Sequence, residues 1–290
     1  MKTLIILAAG NGSRFGGPKQ LTCFGPLNRP LMSYNIDHAH QAGYRKFIIV
    51  CQQKHEQLIQ TLPLYQHFSD SEYHTVIQKN QSLPDSLSKK IGHSKPLGTA
   101  HALWCCHNLI DDNFTVINGD DYYGAHAFTL LYNANLHNKS QHYLVGYPLK
   151  NTLSAHGGVN RGICSISKNN TLLEISEVTN IRQSPKGIIS DTKNNRASDL
   201  NDNDLVSMNC WSFHPQIFDT LAELISHSLS SLNNQQECYL PDAAMKAIND
   251  EKACIEVLTS HDEWFGVTYA ADSDIVHNKL ALLTEKGLFH

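Results

Sequence analysis

Leu4-Ile5-Ile6-Leu7-Ala8-Ala9-Gly10-Asn11-Gly12-Ser13-Arg14-Phe15-Gly16-Gly17-Pro18-Lys19-Gln20-Leu21 is the stretch from which the rest of the chain is read. Residues 4–8 have the apolar, β-branched character of a strand buried on both faces, as in a parallel sheet. A glycine-rich loop follows at once. Ala9, Gly10, Gly12 and Ser13 let main-chain N–H groups approach an anion closely, and glycine reaches left-handed backbone angles that bulkier residues avoid. Arg14 offers phosphate oxygens a planar fork, whereas Lys19 is a flexible point charge. The stretch reads as a phosphate cradle.

Two familiar cradles fit badly. A P-loop needs Gly-Lys-Ser/Thr, but here the lysine lies in Pro18-Lys19-Gln20 and no hydroxyl follows it. A dinucleotide fingerprint needs G-x-G-x-x-G and an acid after the second strand. Gly10, Gly12 and Gly16 are spaced G-x-G-x-x-x-G, and the strand at 46–51 runs into Gln52-Gln53. Residues 7–15 with Pro18-Lys19 resemble instead the signature of the nucleotidyltransferases that join a nucleoside triphosphate to a sugar 1-phosphate.

Working outward, Pro30 suits a helix start and Gly43 a stop, which predicts a helix over 31–42. A strand at 46–51, a helix at 52–66 and a strand at 74–78 continue the alternation, which argues for a parallel α/β sheet. Residues 79–96 turn polar and lysine-rich, and so long a loop is often functional. Gly98-Thr99 then opens a helix with its body at 102–109, and helix N-termini attract anions. In the family this chain resembles, such a Gly-Thr-Ala segment lies against the nucleobase and ribose. That role carries to Gly98 and Thr99, with Gln78 facing the base; a plain helix cap is the simpler alternative.

The second landmark is Phe114-Thr115-Val116-Ile117-Asn118-Gly119-Asp120-Asp121. A buried strand delivers an acid at its C-terminal end, where open α/β sheets hold ligands, and a carboxylate there can hold magnesium against phosphates. The resemblance, to the Gly-Asp ending the fourth strand of sugar nucleotidyltransferases, points to Asp120 as the Mg2+ ligand. Asp121 either supports it or caps a helix over 125–138. Relatives often place a second metal-binding acid or amide near the C-terminal Trp, where this chain has Gly266-Val267-Thr268. Asp121, Thr268 and Asp272 remain candidates for that second ligand.

A strand at 142–148 follows, then strands at 162–166 and 172–179 joined by a turn at 168–170. The resemblance gives Gly162 and Glu177 the grip on the sugar, and Ser207 and Asn209, in a strand at 206–213, further polar contacts. Residues 183–204 have almost nothing to bury and are expected to form a mobile loop. Helices are predicted at 215–232, from 241 and at 272–286, with a last strand at 254–258.

Composition sets the outer bounds. The 290 residues are 41% hydrophobic and 17% charged, as in a globular protein able to bury a core, and the net charge of −4 without a basic stripe gives no nucleic-acid surface. Seventeen histidines are scattered. Eight cysteines form no C-x-x-C pair and read as buried thiols of a reducing cytoplasm. The apolar run at residues 4–9 is shorter than a signal peptide's, and no stretch approaches the ~20 apolar residues of a membrane span.

The resemblance runs from the first strand to Thr268. It implies a Rossmann-like, mixed and mostly parallel sheet flanked by helices, the nucleotide-diphospho-sugar transferase fold, with a small β-rich sugar-side region. Residues 1–290 would form one nucleotidyltransferase domain, 1–150 binding the nucleotide and 151–290 the sugar phosphate. The implied reaction is attack of a sugar 1-phosphate oxygen on the α-phosphorus of a nucleoside triphosphate, with Arg14, Lys19 and Asp120 as the catalytic set. A cytidylyltransferase for another alcohol phosphate, a glycosyltransferase using Asp120-Asp121, and a non-catalytic nucleotide-binding regulator remain open.

Overall fold

The computed structural model describes residues 2–10, 19–63, 68–80, 82–84, 97–134, 138–154, 157–185, 187–190, 200–230, 237–267 and 271–289. β1 (Thr3–Leu7) is buried at all five positions, as expected of a strand with neighbours on both edges and helices on both faces. A short ribbon, β2 (Cys23–Phe24) with β3 (Arg29–Pro30), leads into α1 (Leu31–Ala42). Gly43, at φ 112°, ends α1 by returning its N–H to the last turn, a conformation that costs a residue with a Cβ. β4 (Lys46–Cys51) and β5 (Glu72–Ile77) pair parallel to each other, and β4 to β1. Between them α2 (Glu56–Gln60) is much shorter than the helix expected over 52–66; residues 64–67 lie outside the described set.

After α3 (Thr99–Trp104), β6 (Phe114–Asn118) takes the other edge of β1 in the same direction. β7 (Asp121–Tyr122) leaves the sheet, and α4 (Ala125–Asn133) ends short of the expected 138. β8 (Gln141–Pro148), β9 (Val159–Ile166), β10 (Leu172–Ser184), β11 (Gly187–Ile189) and β12 (Leu205–Phe213) add a largely antiparallel half. The chain closes with α5 (Ile217–Ser230), α6 (Leu240–Asn249), β13 (Cys254–Thr259), β14 (Phe265–Gly266) and α7 (Asp272–Glu285). The ten-stranded sheet runs β11-β10-β9-β12-β6-β1-β4-β5, with β8 on β12 and β13 parallel to β8. This is the mixed, mostly parallel sheet flanked by helices that the sequence implies.

Alternate residues of β1 and β4 feed the two faces. Leu4, Ile6, Phe47 and Ile49 pack with Met32 and Ile36 of α1 and Phe128 of α4; Ile5, Leu7, Ile48 and Val50 pack with Leu103 of α3, Leu221 of α5 and Ala244 of α6. Such alternation follows from the two-residue repeat of a strand. A third, smaller cluster ties Val276 and Leu280 of α7 to Phe24, Tyr34, Tyr122 and Phe265.

Two expectations change. Of the loop expected over 183–204, residues 186 and 191–199 lie outside the described set, but its start is structured: β10 runs on to Ser184 and pairs with β11, Arg182 against Ile189 and Ser184 against Gly187. Ile188 supplies the buried side chain that the composition of this stretch conceals, and Gly187 turns the hairpin at φ 108°. At its far end the carbonyls of Asp202 and Asp204 accept the N–H groups of Lys150 and Leu149 at 3.0 and 2.8 Å. The cysteines are also not uniformly buried, since Cys23 and Cys254 are exposed. Among the described residues no helix is long and apolar enough to cross a membrane.

Two histidines inside this framework carry a pH signature. His38 and His142 are 1% and 2% exposed, and burial pushes each down to about 4, against the charge of Asp262 at His38 and together with that of His214 at His142. His142 Nδ1 accepts the His214 N–H at 3.2 Å, a bond its protonated ring cannot keep. Unfolded, both rings titrate near 6.5, so between about pH 6.5 and 4 the unfolded chain binds more protons and the fold loses stability as pH falls. Each ring contributes up to ~3 kcal/mol of this loss. Urea denaturation at pH 7, 5.5 and 4.5 should give a steep decline, and His142→Asn, whose Oδ1 can replace Nδ1 as acceptor, should flatten it.

Candidate active site

The parallel strands end together at one edge. Past β1, Ala8 N–H donates to Val50 O at 2.7 Å, and past β6 Gly119 N–H donates to Leu7 O at 2.9 Å, so the loop after β1 and the acids after β6 leave the sheet side by side. Two glutamines hold the loop's first residues: Gln52 Nε2 donates to Ala9 O at 2.7 Å and Gln20 Nε2 to Gly10 O at 3.3 Å. A Cβ on Gly10 would stand 2.7 Å from Gln20 Nε2, so glycine allows this closure. Leu7, Ala8, Ala9 and Gly10 therefore lie at the C-terminal end of β1, while Asn11, Gly12, Ser13 and Arg14 lie outside the described residues.

Lys19 returns the chain to the strand ends. Its Nζ forms an ion pair with Asp120 Oδ2 and also donates to Val267 O at 3.3 Å, joining three distant segments. Asp121 is fixed from several sides. Asn118 Nδ2 donates to its Oδ2 at 2.9 Å, and the buried Asn35 of α1 donates to its carbonyl at 2.6 Å while accepting the Tyr123 N–H at 3.2 Å. Burial, and next the neighbouring Asp120 charge, hold the Asp121 carboxyl well above the usual carboxylate range, against Asn118, Lys19 and Arg161. Asp121 is not a helix cap. That place belongs to Asp262, whose Oδ2 accepts the His126 N–H of α4 at 2.8 Å. Gly266 pairs with Asp121 across the ribbon of β7 and β14, and a Cβ on it would come within 2.4 Å of Asp121 Oδ1. Asp272, the other described candidate, is buried at the start of α7 and accepts a bond from Ser154 at 3.4 Å; Thr268 lies outside the described residues. Among the described residues no three acidic, histidine or cysteine groups gather as a metal cluster.

The base-side candidates converge. Gln78 Nε2 donates to Gly98 O at 3.0 Å and lies 3.2 Å from His101 Nδ1, while His101 Nε2 donates to Ser82 O at 2.9 Å. Gly98 has φ 90°, and a Cβ there would come within 2.4 Å of Cys238 O. Thr99 Oγ1 accepts the Leu240 N–H at 2.9 Å.

On the other side, register brings Gly162, Glu177 and Ser207 into one row. Gly162 pairs with Glu177 of β10 and with Ser207 of β12. A Cβ on Gly162 would stand 2.7 Å from Ile175 Cγ2, 3.8 Å from Ser207 Cβ and 4.0 Å from Glu177 Oε2, so glycine keeps this face open. Asn209 has a different setting. It bulges out of β12 at φ 62°, its Nδ2 donates to Asn118 Oδ1 at 2.7 Å, and its Oδ1 accepts Trp211 Nε1 at 2.8 Å. It thereby links the row to Asp121 through Asn118.

Sequence reasoning missed Arg161. This buried guanidinium lies over the Trp264 ring at 4.9 Å and donates to Thr152 and to Asn160 O. Burial lowers it to about 10, against the charges of Asp121 and Glu177, so at neutral pH it remains a cation. Its place beside Gly162 was the only signal in the sequence.

Residues 3–267 match the family model described as nucleotidyl transferase. UTP–glucose-1-phosphate uridylyltransferases of Bacillus subtilis (strain 168) and Komagataeibacter xylinus are 30% and 26% identical over 141 and 137 residues. The match covers 42% of this chain in both cases, and 44% and 46% of those proteins, so it spans less than half the length of either relative. The fold is similar to that of the inositol-1-phosphate CTP transferase from T. maritima, with TM-score 0.67 at 15% identity over 100% of this chain and 98% of the other. A putative glucose-1-phosphate thymidylyltransferase from Bacillus anthracis, solved with sucrose, gives TM-score 0.65 at 14% identity over 97% and 96%.

The Asn209 amide has both ends engaged, so Asn209→Ala leaves Trp211 Nε1 and Asn118 Oδ1 without these partners inside the protein. The expected loss is about 1–3 kcal/mol of stability. Glu177→Ala, on the exposed side of the row, should stay within about 0.5 kcal/mol of the parent. Urea midpoints of the two variants check the contrast.

Proposed function

As the chain belongs to the nucleotidyl transferase family, we propose that it transfers a nucleoside monophosphate from a nucleoside triphosphate to a sugar 1-phosphate. An oxygen of the acceptor phosphate attacks the α-phosphorus, the bond from that phosphorus to the bridging oxygen breaks, and pyrophosphate leaves. The observation that carries this reading is the Lys19–Asp120 pair, which sets the cation of a glycine-rich loop against the acid of a strand end.

Such a displacement needs positioning and charge neutralisation more than a protein nucleophile. Gly10 to Ser13 and Arg14 hold the triphosphate, Gln78, Gly98 and Thr99 border the base and ribose, and Lys19 follows charge at the α-phosphate. Asp120 and Asp121 fit a divalent cation, because burial and then the Asp120 charge raise the Asp121 carboxyl, and a cation beside the pair relieves that cost. Mg2+ held by Asp120, with Asp121 beside it, would neutralise charge on the triphosphate. Gly162 leaves room for the acceptor ring, Glu177 and Ser207 take its hydroxyls, and Asn209 steadies the row. Residues 1–150 would thus serve the nucleotide and 151–290 the acceptor, within one domain. The uridylyltransferase relatives support glucose 1-phosphate as acceptor, and the CTP transferase fold supports a cyclitol phosphate as second reading, since a row of hydroxyl-binding groups suits either ring.

Pyrophosphate release with each of the four common triphosphates, against glucose 1-phosphate, inositol 1-phosphate and choline phosphate, tests the proposal. Release should require both a phosphorylated acceptor and magnesium. Acceptor-independent release, or none with any pair, overturns it. Lys19→Ala should lower kcat about 10²-fold or more, the scale of a lost preorganised charge. Asp120→Asn should abolish turnover or raise its magnesium requirement, and Glu177→Ala should raise the acceptor KM more than it lowers kcat.

A further inference from the structure

Where the base-side segment meets the acceptor row, one aromatic ring stands half exposed. Tyr239 precedes α6 in an extended conformation, and the backbone on either side of it is stitched to the Gly98 segment. Cys238 N–H donates to Leu97 O at 2.9 Å, Ala100 N–H donates to Cys238 O at 3.0 Å, and Leu240 N–H donates to Thr99 Oγ1 at 2.9 Å. The approach is so close that only glycine fits at 98. On its other side α6 packs on β10, with Leu240 and Ala243 in the same apolar cluster as Leu172 and Ile175, two residues before Glu177. Burial, and next the neighbouring Glu237, raise the Tyr239 hydroxyl, and the charges of Asp242 and Glu177 add to this. Leu240, directly beside it, is fully buried, so the 49% exposure of Tyr239 belongs to the ring and not to a loose segment.

Resting on the transferase reading above, we propose that Tyr239 is a specificity-determining residue, its ring forming the wall between the base and acceptor subsites and stacking on the acceptor's saturated ring. A π face is electron-rich, and the C–H edges of a pyranose or cyclitol are the electron-poor apolar surface that such sugars offer. Glu177 and Ser207 take the hydroxyls while Tyr239 takes the C–H face. An acyclic acceptor such as choline phosphate presents no such face and gains nothing from the ring.

The test separates the ring from the fold and from the activity. Tyr239→Ala should raise the KM for glucose 1-phosphate about five- to tenfold, the scale of an aromatic packing contact. The triphosphate KM, kcat and thermal midpoint should stay near the parent's, any turnover of choline phosphate should not change, and Tyr239→Phe should restore the acceptor KM. An unchanged acceptor KM in Tyr239→Ala overturns the proposal, as does a parallel rise in the triphosphate KM, which would mark a merely structural residue. Tyr239→Trp adds a readout that needs no turnover. Its emission, compared with the parent's, should change when glucose 1-phosphate is added alone. A change without pyrophosphate release keeps the ring assignment and overturns the transferase reading. Turnover with neither an emission change nor a KM effect overturns the ring. No response in either measurement overturns both.

Discussion

Strand β12 changes partners at Asn209, and the candidate site is built around that change. Up to Ser207 the strand lies between β9 and β8; from Trp211 it lies between β6 and β8. A regular strand cannot leave one neighbour for another without a break in register, and the break falls at a residue in the left-handed region, where asparagine is tolerated better than most side chains. The freed amide fills the gap by joining Trp211 to Asn118 at the end of β6. The parallel half that ends in Asp120 and Asp121 is thus fastened to the antiparallel half that carries Gly162, Glu177 and Ser207.

Charged groups gather near the same junction. Lys19 pairs with Asp120, and the charges of Lys19 and Arg161 both act on Asp121 against its burial, while that of Glu177 acts on Arg161. Arg161 is held by carbonyls and by the Trp264 ring instead of by a carboxylate, so it influences both acids without neutralising either. Buried charge of this kind costs desolvation energy, which the hydrogen bonds to Thr152 and Asn160 partly offset.

Backbone approach explains the glycines better than loop freedom does. Gly98 gives way to Cys238, Gly266 to the Asp121 carboxylate, and Gly162 to the side chains around it. The stitching of residues 97–100 to 238–240 joins a C-terminal segment to the one that opens α3, so distant parts of the chain meet there.

Much of this was legible in the sequence. The run from Leu4 to Leu7, the β-branched strand at 46–51 and the Gly119-Asp120 ending specify buried parallel strands, because apolar continuity and glycine placement are local properties. Helix α1 with its Gly43 stop was legible for the same reason. The hairpin of β11 was not, since a single buried Ile188 in a polar stretch gives no periodic signal. Nor could spacing reveal that Lys19 meets Asp120, that Asp262 rather than Asp121 caps α4, that Arg161 lies over the Trp264 ring, or that Asn209 is spent within the protein. Each of these is a pairing of residues far apart in the chain. Sequence fixes which groups are available and which strands form; register and strand order, set by packing across the whole sheet, decide which of those groups meet.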